Sequence, residues 1–229
     1  MKNIILSFLI PLSFGLNLSL LDYHNPSATH ILDAEVIDDL LIVTGMIGGI
    51  EFYDISNPEI LNHLTSFNLS SNGGGGGSKP NCIRAYGNYA YITSNQGVAI
   101  INISNPSNPQ NVGYIDETNN MILENLDIRD NLLAIAAHVD GVLLYDISDP
   151  SSPDYISTVE AENAWAVDLD DYYMYIADGS TLLVYYKFDE MPEYELMASL
   201  ELSNAIKDIA IESGYLFAAI GSAGVVAID

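Results

Sequence analysis

One string of ten residues returns along this chain and limits what it can fold into. Gly49-Ile-Glu-Phe-Tyr-Asp54-Ile-Ser-Asn-Pro58 recurs as Gly97-Val-Ala-Ile-Ile-Asn102-Ile-Ser-Asn-Pro106 and as Gly141-Val-Leu-Leu-Tyr-Asp146-Ile-Ser-Asp-Pro150. A weaker copy is Thr181-Leu-Leu-Val-Tyr-Tyr186, and a last one, Gly224-Val-Val-Ala-Ile-Asp229, stops before the turn. The copies start 48, 44, 40 and 43 residues apart. The long first interval contains Gly73 to Gly77, a flexible loop extension. A fixed period of this size marks an array of supersecondary units, each burying its apolar surface against its neighbours.

Within each unit the local signals keep one order. A first apolar-alternating segment meets a turn pair and a second run follows at once: Val36 to Val43 around Asp38-Asp39, Ile83 to Ile92 around Gly87-Asn88, Leu126 to Ala137 around Asp130-Asn131, Val167 to Ile176 around Asp170-Asp171, and Ile209 to Ala218 around Ser213-Gly214. Asn, Asp and Gly tolerate the positive φ of tight hairpins, so each pair predicts a hairpin. The glycine-led string makes a third strand, and Ser-Asn-Pro or Ser-Asp-Pro ends it by fixing φ and removing a donor. A fourth strand follows, as in Asn111 to Ile115, Tyr155 to Val159 or Glu195 to Leu202. Four short strands per unit and no 3.6-residue period give an all-β fold: a β-propeller of four-stranded antiparallel blades, near 30–72, 80–120, 121–163, 164–204 and 205–229. A doubly wound α/β fold is excluded, and a β-solenoid, whose repeats are shorter, is the structural competitor. In the propeller, Asp54, Asn102, Asp146 and Asp229 form a column whose side chains cap the following turn through backbone N–H groups.

The string of glycine, hydrophobic run, Asp, Ile-Ser and Asn-Pro resembles the LVIVD-repeat proteins, a family of exported or surface proteins of bacteria and archaea. The resemblance runs from about Ile31 to Asp229 and implies a β-propeller placed outside the cell, with no catalytic residues to carry over. The fourth unit departs from it, with Thr181 for the glycine, Tyr186 for the Asp and Lys187-Phe-Asp-Glu-Met-Pro192 for the usual turn.

The termini add two expectations. Lys2, the apolar Ile4 to Phe14 and the small residues of Ser13-Phe-Gly15 read as a signal peptide over 1–15, too short to span a membrane, with the propeller over 16–229 and the mature protein secreted or at the cell surface. The fifth unit lacks its outer strand. Either the chain is a fragment of a longer propeller, which the cut within a unit favours, or the alternating Leu16 to Tyr23 supplies that strand and closes a five-bladed ring.

Charge narrows function. The chain has 31 Asp and Glu against 6 Lys and Arg, a formal net charge of -25. That opposes nucleic-acid binding, which needs cations to replace phosphate counterions, and opposes anionic membrane surfaces. No Gly-x-Ser-x-Gly, His-Glu-x-x-His or phosphate-loop motif occurs, and no Asp-x-Asp-x-Asp-Gly calcium loop, so calcium is open without a motif and no cofactor is identified. Cys82, the only cysteine, permits no internal disulfide and reads as a core residue; His24, His30, His63 and His138 lack metal-ligand spacing. The strand tyrosines Tyr53, Tyr89, Tyr91, Tyr145, Tyr173 and Tyr175 read as blade packing, and Trp165 as a residue buried between blades or a partner's anchor.

One polar column is the candidate site. Aligning the units puts Glu35, Arg84, Asp127, Asp168 and Ala210 at equivalent places in the first strands, with apolar neighbours on both sides, so they face or border the central channel with Arg84 within reach of a carboxylate. These readings leave two functions. The first is a non-catalytic extracellular or cell-surface module for binding, adhesion or scaffolding, whose partner is an extracellular protein or glycan. The second is a propeller hydrolase or lyase with an acidic channel site.

Overall fold

A computed structural model describes Asp22 and residues 29–47, 49–69, 80–95, 97–116, 121–187 and 194–229. Residues 1–15, read above as a signal peptide, Gly73 to Gly77 and the fourth unit's Phe188-Asp-Glu-Met-Pro192 lie outside these residues. The described chain is all β apart from one short 3-10 turn at Gly221–Ala223, and no helix is long and apolar enough to cross a membrane.

The strands form a β-propeller of five sheets. Blade one contains β1 (Thr29–Ile37), β2 (Leu40–Ile47), β3 (Gly49–Asp54) and β4 (Asn62–Phe67). Blade two contains β5 (Pro80–Tyr86), β6 (Tyr89–Ser94), β7 (Gly97–Asn102) and β8 (Gln110–Ile115). Blade three contains β9 (Asn125–Arg129), β10 (Leu132–Ala136), β11 (Val142–Asp146) and β12 (Asp154–Val159). Blade four contains β13 (Ala164–Leu169), β14 (Tyr173–Asp178), β15 (Thr181–Lys187) and β16 (Tyr194–Glu201). Blade five has three strands among the described residues, β17 (Asp208–Glu212), β18 (Tyr215–Ala219) and β19 (Val225–Ile228). Leu16 to Tyr23, the segment that the closed-ring alternative would use as the outer strand, lies outside the described residues except Asp22, whose Oδ2 accepts the Leu61 N–H of blade one at 2.8 Å.

Each blade is an antiparallel meander, and the first strands β1, β5, β9, β13 and β17 lie side by side in that order. The hairpins fall where expected, at Asp38, Gly87, Asp130 and Ser213, with φ of 51°, 57°, 54° and 53°. Blade four differs: its loop runs one residue longer, over 170–172, because Asp170 Oδ1 accepts both the Tyr172 and Tyr173 N–H groups at 2.7 Å and turns the chain with its side chain.

Apolar alternation places a core in each seam between blades. Phe52 and Ile50 of blade one pack with Ile92 and Ile101 of blade two, while Tyr91 and Ile100 turn to Leu133 and Ile135 of blade three. Two further cores join blades three to four and four to five. Cys82 is a core residue, its thiol pushed up to about 12 by burial. Tyr53, Tyr91 and Tyr145 are buried in packing as expected, and Tyr89, Tyr173 and Tyr175 are half-buried.

The repeated string has a physical reason at each end. Its glycine starts the third strand so close to the fourth that a Cβ on Gly97 would lie 2.0 Å from the Ile115 carbonyl oxygen, and one on Gly49 or Gly141 about as close to Phe67 or Val159. All three also take positive φ. At the other end, Asp54, Asn102 and Asp146 Oδ1 accept the N–H of Ser56, Ser104 and Ser148 at 2.8, 2.9 and 2.8 Å. The isoleucine between them donates to the first hairpin of its own blade, Ile55 to Asp39, Ile103 to Asn88 and Ile147 to Asn131, each at 2.8 Å. In blades one, two and three the string therefore ties the end of the third strand to the first hairpin.

Candidate functional site at the channel

The first strand of each blade is the sheet's inner edge, so alternate N–H groups along it have no partner in their own sheet and need one elsewhere. The polar column supplies it. Glu35 Oε1 accepts the Ala85 N–H at 3.2 Å, Asp127 Oδ2 the Leu169 N–H at 2.8 Å, and Asp168 Oδ2 the Ile211 N–H at 2.9 Å. In each pair the acceptor is on one blade and the donor on the next, one residue past the equivalent column position. Two residues earlier the pattern repeats: Asp33 Oδ2 accepts from Ile83 at 3.0 Å, the Cys82 sulfur from Leu126, and Asn125 Oδ1 from Val167 at 3.2 Å. Blade four carries Ala166 there, which cannot accept, and Ile209 donates instead to its own Asp208 at 3.0 Å. The channel residues are thus a double row of staples between consecutive inner strands.

Arg84 breaks the column. A guanidinium cannot accept, and it turns to its neighbours: Nη1 donates to the Ile83 carbonyl at 2.8 Å and to Asp33 Oδ2 at 3.4 Å, while Nε lies 3.8 Å from Asp127 Oδ1. It therefore lies near one column carboxylate, Asp127, and near Asp33 two residues before the column, standing between the acids of blades one and three. Burial lifts the carboxyls of Glu35, Asp127 and Asp208 above their ordinary range, against the pull of backbone N–H groups and of Arg84. Asp168 is pushed up to about 7, first by burial and then by the charge of Asp127. Neither carboxyl of the pair Asp127 and Asp168 therefore ionises as readily as an isolated one. Among the described residues no group of three or more His, Cys, Asp or Glu is placed to hold a metal ion.

A second ring lies three residues before the column, at the channel mouth: Leu32, Asn81, Glu124, Trp165 and Lys207, one from each blade. Four of the five are linked into a belt. Asn81 Nδ2 reaches the Glu124 carbonyl at 3.1 Å and Oε2 at 3.3 Å; Glu124 Oε1 meets His138 Nε2 at 2.9 Å; His138 Nδ1 meets Asn163 Oδ1 at 2.8 Å. The His138 ring tilts against Trp165 with centroids 4.5 Å apart, and the Lys207 ammonium stands 3.3 Å over the Trp165 ring. Trp165 is thus half-buried between a histidine and a lysine at the mouth, a third placement beside the two the sequence left open.

Sequence reasoning passed over His138 as one of four scattered histidines. Its signal was positional: His138 has φ 52° at the place where the same turn in blade five uses Gly221, φ 58°. A non-glycine residue in that region costs about 1 kcal/mol or more and persists where its surroundings demand it. Here the backbone is clamped to Ala164 of blade four by reciprocal hydrogen bonds of 3.0 Å. Both ring nitrogens are engaged as well, which leaves none facing outward to take a substrate proton.

Comparison with known proteins agrees with this architecture. No curated protein matches the chain. Among solved structures, the computationally designed Ika8 protein superposes with a TM-score of 0.64 at 11% identity, over 86% of this chain and 57% of that one. A Bacteroides uniformis ATCC 8492 protein titled "putative 6-phosphogluconolactonase" gives 0.69 at 14% identity, over 81% of this chain and 62% of that one. Kluyveromyces lactis Hsv2 gives 0.57 at 12%, over 84% and 57%. The chain spans about three fifths of these structures, and at such identity the likeness concerns fold alone. The family model of the LVIVD repeat matches residues 79–117 and 124–160, blades two and three with their staples. Blades two and three of this β-propeller are therefore LVIVD repeats, and the string that leads their third strands is present in blade one and echoed in blades four and five.

Proposed function

We propose that the protein is an exported, non-catalytic propeller that works as a binding or scaffolding module outside the cell, with the belt at the channel mouth as its contact face and an extracellular protein or glycan as its partner. The observation that carries this reading is the use already made of the channel acids: Glu35, Asp127 and Asp168 accept backbone N–H groups of the next blade. Acids so committed hold the ring together. The mouth supplies what recognition needs, an indole beside a cation and amide groups on a rigid frame. Export rests on the sequence of residues 1–15 and on the character of the LVIVD-repeat proteins the chain resembles.

A hydrolase or lyase is the second reading, favoured by the placing of the Asp168 carboxyl beside Asp127, where burial and that neighbour push it up to about 7, the range of a general acid or base. One experiment separates the two. The protein and an Asp127→Asn/Asp168→Asn variant, whose amides keep an acceptor for the Leu169 and Ile211 N–H groups, are assayed on lactone, ester and polyuronate substrates and on a glycan array with Trp165→Ala alongside. The binding reading expects no turnover above the variant and array signals lost only in Trp165→Ala. Turnover by the parent that the double variant lacks would establish the enzyme instead.

A further inference from the structure

Four lysines and arginines stand among the described residues, Arg84, Arg129, Lys187 and Lys207, and two of them line one cavity. It lies in the seam between blades three and four, at the end of the molecule opposite the mouth, and holds about 380 Å³. That is within the range of small-molecule sites, roughly 300 to 1,000 Å³. The floor is apolar, from the buried Leu132 and the half-buried Ile156. Asp130 and Asp146 stand on the wall with Arg129 and Lys187.

Neither cation is required by the repeat. The seam between blades one and two has the corresponding cavity, and there Ile37 and Ile103 hold the register of Arg129 and Lys187. Lys187 thus stands where the string has its isoleucine, and its N–H still donates to the first hairpin of its own blade, to the Tyr172 carbonyl at 2.8 Å. In blades two and three that isoleucine is buried, whereas in blade four the same place is half-buried and carries an ammonium. Among the described residues the ammonium enters no ion pair, with Asp130 and Asp146 included. Arg129 donates through Nε and Nη2 to Asp171 Oδ1 and leaves Nη1 for another acceptor. Asp146 accepts the Ser148 N–H through Oδ1 and keeps Oδ2. A charge in a half-buried place is unfavourable until an opposite group joins it.

We propose that the cavity between blades three and four binds a free α-amino acid with an aliphatic side chain. The ligand carboxylate meets the Lys187 ammonium and Nη1 of Arg129, its ammonium meets the Asp130 and Asp146 carboxylates, and its side chain lies on Leu132 and Ile156. Both signs of charge beside an apolar floor select a zwitterion. A plain carboxylic acid would bring its oxygens against two aspartates, and a plain amine its nitrogen against two cations, so each is disfavoured by the half of the wall that the zwitterion uses. The cavity between blades one and two, with aspartates and no lysine or arginine on its wall, lacks one half of this set. The site shares no residue with the mouth or the polar column, so it stands or falls apart from the function proposed above.

The test is a titration of ¹⁵N-labelled protein with L-leucine, N-acetyl-leucine, leucinamide and glycine, read at the backbone amides of Asn131 and Leu132, which line the cavity. L-leucine should give a saturable shift. The other three, which lack the ammonium, the carboxylate or the side chain, should each bind about tenfold more weakly. Lys187→Ile restores the residue that the string carries in blades one to three, so it should fold as the parent does, bind L-leucine about tenfold more weakly and lose most of the preference over leucinamide. Arg129→Ile, which copies Ile37, is the second variant and should act in the same direction. N-acetyl-leucine or leucinamide binding the parent as well as L-leucine would overturn the zwitterion assignment. The absence of a saturable shift, or an undiminished response in both variants, would overturn the site.

Discussion

Asp168 concentrates the residue-scale tension in this channel. Its carboxylate is needed as an acceptor for Ile211, yet burial and Asp127 raise it from 3.8 to about 7. The folded state therefore holds a proton that the unfolded chain releases, and the associated stability is full below the ordinary carboxylate range and lost as pH climbs to about 7. Glu35, Asp127 and Asp208 are raised as well and act in the same direction. Asp54, Asp149 and Glu201 are lowered by hydrogen bonds to serines and a threonine, and their contribution is lost only at lower pH. Between about pH 5 and about pH 8 the parent should lose thermal stability. Asp168→Asn keeps an amide oxygen for Ile211 and has no charge to desolvate, so its Tm should vary less and exceed the parent's at the upper pH. Calorimetry showing parallel profiles for the two would remove the raised carboxyl from the account.

At the scale of the element, the third strand depends on its leading glycine. Gly97 has φ 135°, and the space a Cβ needs is taken by the Ile115 carbonyl of β8. Gly87 in the hairpin before it also has positive φ, 57°, but nothing stands within 4 Å of its missing Cβ. The two positions separate conformational strain from collision. Gly87→Ala should cost about 1 kcal/mol and Gly97→Ala about 3 kcal/mol in denaturant unfolding, since the second must also push two strands apart. Equal costs would mean that β7 and β8 approach less closely than described. In the fourth unit Thr181 stands in the place of this glycine without a positive φ, and Gly179, at φ 61°, takes the turn before the strand instead.

Across the whole molecule burial falls from the middle blades toward the fifth. Leu133, Ala134, Ile135 and Leu144 of blade three are fully buried between two neighbours. On blade five the face turned from blade four leaves Tyr215, Phe217 and Val225 at 49%, 39% and 70% exposure, and among the described residues β19 pairs with β18 alone. Local opening should follow that gradient. Amides of β19 should exchange with solvent deuterium far faster than those of β10 and β11, and comparable protection would show that another segment covers the fifth blade.

The sequence by itself determined the repeat, the order of strands, four of the five hairpins and the polar column, because period-two alternation, turn-forming residues and a closely approached glycine are local demands that each unit meets alone. It also placed Arg84 near carboxylates, since a lone cation in an acidic column has few other partners. What only the tertiary structure decided is where each side chain finds its partner on the next blade. The acceptors for Ala85, Leu169 and Ile211 lie 50, 42 and 43 residues earlier in the chain. His138 joins Glu124 to Asn163 only once two blades are stacked. Strand alternation fixes which side of a sheet a residue faces, but the neighbour on that side depends on how the sheets pack, and that packing set the use of the channel acids.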